Sequence, residues 1–396
     1  MMNSTHATHL ACICLLATAT ALSQAGSPAS DHGGSFDLTV GSTGLSFGNG
    51  QDMNGIRFAW RDGNFIRVNG LNLSAWTPYD ALSGEVNGIS FGIVGPAARQ
   101  MRGISIGLGG VLAQNSMEGI NIGGLGLVSE GVMTGINVAG LGLVAQGSIG
   151  GINIGGLGLI GQDDMAGLNL AGLGVIPQGT ATGINFGGLG VVAQGSLIGI
   201  NTAVLGLVAQ QQMIGVNIGG LGTVAQSDIF GLNIGGLGLV TQGQLAGCSV
   251  GGLGTVAQGA IRGLSVGGLG LVSQGAITGL SVAGLGCVAQ EKISGVSVTL
   301  GMVRSEQDIT GFTFGGYRLT APVITGANVS IAWTESAELT GFTIAAYNRT
   351  FGMQRGLVIG IFNHTESLLG VQIGLVNYVE NNPSWARILP FINANL

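Results

Sequence analysis

GINIGGLGLIGQDDMA (Gly151–Ala166) runs without a gap into GLNLAGLGVIPQGTAT (Gly167–Thr182) and then into GINFGGLGVVAQGSLI (Gly183–Ile198). The same unit recurs every 16 residues, opened by a glycine, from Gly103 to Gly311. Looser copies begin at Gly55, Gly70 and Gly88 before this array and at Gly326, Gly341, Gly356 and Gly370 after it. A fixed period of this size marks a stack of identical supersecondary units. Numbering positions from the opening glycine, apolar residues stand at 2 and 4 with Asn or Ser between them, as in Ile152, Asn153 and Ile154. Positions 7, 9 and 11 read Leu-Leu-Ala in Leu141, Leu143 and Ala145, and position 15 is again apolar, as in Ile149 and Met165. Alternation with a period of two is the signature of strands. Each unit therefore holds two short strands, broken at the glycines of positions 5 and 6 and again near position 13.

The polar columns decide how the strands pair. Position 3 is Asn from Asn121 to Asn233 and Ser from Ser249 to Ser297, while position 12 is Gln in most units between Gln114 and Gln290. If each unit is one coil of a parallel β-solenoid, identical residues stack about 4.8 Å apart. Asn and Gln amides can then hydrogen-bond along the stack as they do in cross-β ladders. The competing all-β architecture is an antiparallel outer-membrane β-barrel with one strand per unit. Between Gly119 and Gln290 only Glu130, Asp163, Asp164, Asp228 and Arg262 are charged, which favours a barrel. The turns, however, show no two-unit alternation of length, and neither face of the strands is polar. The pattern favours the solenoid.

Composition excludes several classes. The chain has 396 residues with 78 glycines, 7 prolines, 8% charged and 46% hydrophobic residues. Collagen would need far more proline, and disorder would need low hydrophobicity with high charge. A net charge of −6 without a basic stripe makes nucleic acid an unsuitable partner. Residues 1–25 read as a secretory signal: Leu10 to Leu22 is an apolar core, and Ser23 and Ala25 place small residues before a cleavage site. The segment carries His6 and His9 but no Lys or Arg, and His9 spoils a lipoprotein box around Cys12 and Cys14. The organisation expected is a signal peptide at 1–25, a linker and N-terminal cap at 26–54, and degenerate repeats at 55–102. Regular repeats follow at 103–325, degenerate repeats at 326–380 and a C-terminal cap at 381–396. Trp60, Trp76 and Tyr79 near the start and Trp333, Tyr347, Tyr378 and Trp385 near the end mark the end units as atypical, as caps must be.

The C-terminal motifs are more specific. GLVIGIFN (Gly356–Asn363) and GVQIGLVN (Gly370–Asn377) precede an Asn381-Asn382-Pro383 tripeptide and Leu389-Pro390. This pattern resembles the bacterial surface-repeat family first recognised in leptospires, whose members carry such octads and an NNP…LP…N ending. The central units depart from it, with Gly-Gly-Leu-Gly in place of Gly-Leu-Ile-Asn, so the chain looks like an expanded member. The resemblance implies surface location and no known activity, and it transfers no functional residue.

Chemistry-bearing residues are few. His364 and Glu366 are placed in an inter-strand turn, and Asp163 and Asp164 in a single turn, where calcium-binding solenoids would repeat their Asp in every coil. Cys248 at position 2 and Cys287 at position 9 read as buried thiols too differently placed for a disulfide. The glycine strings lack the alternating helices of a dinucleotide fold. No catalytic, cofactor-binding or metal site is expected, and no cofactor. One feature points outward. If Leu141 and Leu143 face inward, position 10 faces solvent as an apolar stripe: Val128, Val144, Ile160, Ile176, Val192, Val208, Val224, Val240, Val256, Val272 and Val288. An apolar stripe of that length marks a protein or membrane partner, or self-association. The expected function is that of an exported cell-surface repeat protein with a structural, adhesive or interaction role and no catalysis. The alternative is an integral outer-membrane barrel acting as a pore.

Overall fold

The computed structural model describes residues 34–63, 65–78 and 82–395. The signal segment with Cys12 and Cys14, and the cap residue Tyr79, lie outside the described residues. The chain is all-β without a helix among the described residues, a parallel β-solenoid of about twenty coils of roughly 16 residues. It divides into two compact units, Met1–Gln146 and Gly147–Leu396.

In the second unit one coil is built from the strand Ile149–Gly155, positions 15 to 5, and the strand Gly158–Gly161, positions 8 to 11. Each pairs in parallel with its counterpart 16 residues on, so that Asn153 stands beside Asn169 and Ile160 beside Ile176. The corners are stitched in the same direction: Leu173 N donates to Leu157 O at 2.7 Å, and Gln178 N to Gly161 O at 2.8 Å. Parallel pairing at a constant step of one repeat is incompatible with the antiparallel barrel alternative, in which neighbouring strands would run in opposite senses.

The opening glycine does not begin a strand; it sits in the middle of the longer one. Gly215 has φ +113°, and a Cβ there would lie 2.2 Å from the carbonyl oxygen of Gly199 in the coil before. Only glycine accommodates both constraints. The strand bends here, and the burial pattern shows the effect. In Ile149–Gly155, positions 15, 3 and 5 are buried, while 16, 1 and 2 in succession lie on the outer side.

The core follows from that bend. Its columns are position 15 (Ile149, Met165), position 9 (Leu159, Val175), the small residues at 5 and 11, and the asparagine of position 3. Asn153, Asn169, Asn185, Asn201 and Asn217 each donate from Nδ2 to Oδ1 of the next asparagine at 2.8 Å, ending on Asn233. The ladder stops where Ser takes over, because a hydroxyl cannot span the coil spacing. The Oγ atoms of Ser249 and Ser265 are buried without a partner, so the polar column of position 3 is an amide ladder only as far as Asn233. The glutamines of position 12 also depart from expectation. From Gln146 to Gln290 they are exposed, with Gln114 half-buried, and among the described residues no hydrogen bond joins one to the next.

The first unit opens with an antiparallel hairpin, Ser35–Val40 with Thr43–Gly48, whose second strand starts the parallel stack against Asp52–Arg61. Its position 3 column begins Ser46, Arg57, Asn72, Ser90, Ser105, Asn121 and Asn137. Arg57 is fully buried, donates to Asp62 at 2.7 Å, Asn72 at 2.8 Å and Asn49 at 2.9 Å, and lies over the Phe65 ring. A buried ion pair depends on such hydrogen bonds, which here engage both terminal nitrogens of the guanidinium and leave Nε without a partner. Trp60 stands 73% exposed, so this charged cluster, and not the tryptophan, fills the column at the N-terminal end.

At the other end Phe362–Val379 pairs antiparallel with Ile388–Asn395. Asn382 donates to Asn393 at 2.8 Å and Asn395 donates to Asn382 at 2.8 Å, while Asn393 also reaches the carbonyls of Asn377 and Ala386. The asparagines of the NNP…LP…N ending thus tie the last strand across the open end. Trp385 is left 79% exposed.

Candidate interaction surface

A coil of 16 residues has little interior, and polar Asn occupies part of it. The remaining aliphatics have nowhere to go but out. At position 7 the chain turns the corner between the two strands, so the alternation counted through Leu141 and Leu143 does not survive. Leu143 is completely buried, whereas Leu141 is 48% exposed. In the second unit the leucines of position 7, from Leu157 to Leu285, are all between 44% and 66% exposed. Position 2 is likewise outward, as at Ile152, Ile184, Ile200 and Leu232, and position 4 is half-buried or exposed.

The stripe of position 10 also lies on the outer side, on the short strand. Val208, Val224, Val240, Val256 and Val272 are 37–43% exposed. Val128, Val144, Ile176, Val192 and Val288 are half-buried, and Ile160 is buried. The stripe is thus most exposed from Val208 to Val272 and interrupted at Ile160, and it is one of four apolar columns. Sequence reading missed the other three because it carried the period of two across a bend and a corner. The usable signal was quantity: apolar residues at 2, 4, 7, 9, 10 and 15 exceed what one small coil can enclose.

Charge is arranged with equal regularity. Between Gly147 and Gly301 the charged residues are Asp163, Asp164, Asp228, Arg262, Glu291 and Lys292. Five occupy positions 13 or 14, on the same edge as the exposed glutamines of position 12, and Arg262 occupies position 16 on the outer side of the strand Ile261–Gly267. Asp164 accepts from Thr180 N at 2.6 Å and Asp228 from Gln244 N at 2.6 Å, so both carboxylates stitch one turn to the next. That is a structural role, and among the described residues no three His, Cys, Asp or Glu side chains converge as metal ligands.

The other reactive groups stand apart. Cys248 and Cys287, the two cysteines among the described residues, are free. Cys287 is buried in the position 9 column, and burial pushes its thiol up to about 12. Cys248, expected to be buried, is only half-buried, because position 2 faces outward. His364 and Glu366 lie within the strand Phe362–Val379, not in a turn. His364 stacks on Tyr378 with ring centroids 4.9 Å apart and approaches Glu380 at 3.6 Å. A shallow open cleft nearby is lined by Arg304, Glu306, Thr320, Pro322, Glu335 and Phe351. Glu335 is engaged by Arg318.

Comparison with protein-family models, curated proteins and solved structures finds no match to this chain.

Proposed function

We propose that this chain is an exported cell-surface repeat protein that works by contact, in a structural or adhesive role, and not by catalysis. The observation that carries the reading is the row of exposed aliphatic columns. A soluble protein rarely leaves so long an apolar surface without a partner. The apolar segment Leu10 to Leu22 and the octads and NNP…LP…N ending that resemble the leptospiral surface-repeat family support export to a surface. The absence of catalysis is supported by how few titratable groups the sequence holds and by their dispersal: acid–base chemistry needs a positioned pair within hydrogen-bond reach.

Lys292 supplies a direct test, since it is the sole lysine in the sequence and lies exposed on the polar edge. Intact bacteria expressing the full chain should be labelled by a membrane-impermeant amine reagent at Lys292, and a Lys292→Arg variant should lose that label. Labelling of Lys292 only after cell lysis would contradict surface exposure.

A further inference from the structure

Resting on that reading, we propose that the span Gly147–Gly301 docks on a lipid bilayer through its leucine edge. The leucines of position 7 would enter the acyl region, and the edge of positions 12 to 14 would remain in water.

Three observations lead to this occupant. The first is segregation around the coil. One corner presents Leu157 and every sixteenth residue to Leu285, each about half exposed, flanked by the aliphatics of position 4 on one strand and position 10 on the other. The opposite edge holds five of the six charges and the glutamine column, while Arg262 lies at position 16 on the outer side of the longer strand. An element with an apolar side opposite a polar side lies in the plane of a membrane interface.

The second is the backbone. A polar group without a partner is costly in hydrocarbon, which restricts lipid-facing structure to elements that satisfy their own amides. At this corner Leu189 N donates to Leu173 O at 2.7 Å and Gly190 N to the same oxygen at 3.0 Å, and the pattern repeats at Leu221, Leu237, Leu253 and Leu269. Parallel pairing occupies the amides of the flanking strands. The N–H groups of these leucines and of the glycines after them are therefore satisfied beneath the side chains, while the position 6 carbonyls, such as those of Gly172 and Gly188, accept none of these bonds.

The third is the type of residue. Protein interfaces draw their binding energy from Trp, Tyr and Arg, with Leu and Val under-represented. Between Gly147 and Gly301 there is no Trp or Tyr, and the single Arg lies at position 16. The apolar surface also wraps around a corner and continues on both flanking strands. A rigid partner would need a matching groove to cover it, whereas fluid acyl chains conform to it.

The attraction is apolar, so it should not need anionic lipid and should survive salt. The test is flotation of the full chain with phosphatidylcholine vesicles, in about 0.15 M and about 1 M sodium chloride. The chain is expected to move with the vesicles equally at both concentrations. A variant carrying Leu189→Gln, Leu205→Gln, Leu221→Gln and Leu237→Gln should lose at least about tenfold in vesicle binding. A milder probe is Leu221→Trp, whose added fluorescence should shift to the blue on vesicles and be quenched by brominated phosphatidylcholine. A chain that stays in the lipid-free fraction, a four-glutamine variant that floats as well as the parent, or an added tryptophan that brominated lipid leaves unquenched would overturn the proposal. Self-association in solution without flotation would also overturn it, naming a second copy as the occupant. That result would leave the surface-contact reading standing, since that reading fails only if Lys292 is labelled solely after lysis.

Discussion

Asn201 illustrates what a single residue does in this molecule. It accepts from Asn185 and donates to Asn217, both at 2.8 Å, in a column with no access to solvent. Changing Asn201 to Leu strands two flanking amides, at a cost of about 1–3 kcal/mol for a buried group left unmade. The same change at Asn185 should cost as much, but the two together should cost less than their sum, because the shared hydrogen bond is lost once. A double-mutant cycle by denaturant unfolding should give a coupling above about 0.5 kcal/mol. Strict additivity would contradict the stacked column.

At the scale of the element, the strand of positions 15 to 5 depends on its bend. Gly215, at φ +113° with a carbonyl 2.2 Å from any Cβ, should tolerate no substitution. Gly215→Ala should cost about 1–3 kcal/mol or more, from strained backbone and the clash with Gly199. Seven residues on, the Cβ of Gly222→Ala would meet nothing nearer than 3.5 Å, on the outer side of the short strand. That substitution should stay within about 0.5 kcal/mol. Thermal or chemical unfolding of the two variants checks the contrast, and equal losses would contradict it.

The repeat length, two strands per coil and parallel pairing were legible because they rest on spacing, and spacing is uninterrupted from Gly103 to Gly311. Which side each residue takes was not legible. The phase of Leu141 depends on where a corner falls, and the phase of Ile152 on a glycine bend. The glutamine column looked like a second amide ladder, but position 12 lies in a turn, outside the paired strands that hold the asparagines in register. Cys248 followed the same error as its neighbours at position 2.

At the scale of the whole molecule, the chain encloses the asparagine column with the aliphatics of positions 9 and 15 and leaves those of positions 2, 4, 7 and 10 on the outer side. The contact role proposed for the protein depends on that partial inversion. The two thiols among the described residues sit on opposite sides of it, Cys248 half-buried at position 2 and Cys287 buried at position 9. Burial raises the Cys287 thiol from 9.0 to about 12, so the folded chain keeps a proton there that the unfolded chain releases. Its contribution to stability is therefore intact below pH 9.0 and is lost as the pH rises toward about 12. The most direct test of the inversion is thiol alkylation of the native protein near neutral pH, read by peptide mapping. Cys248 should be modified in the folded state, and Cys287 only after unfolding. Modification of Cys287 at a rate equal to that of Cys248, or protection of both, would contradict the assignment of inside and outside.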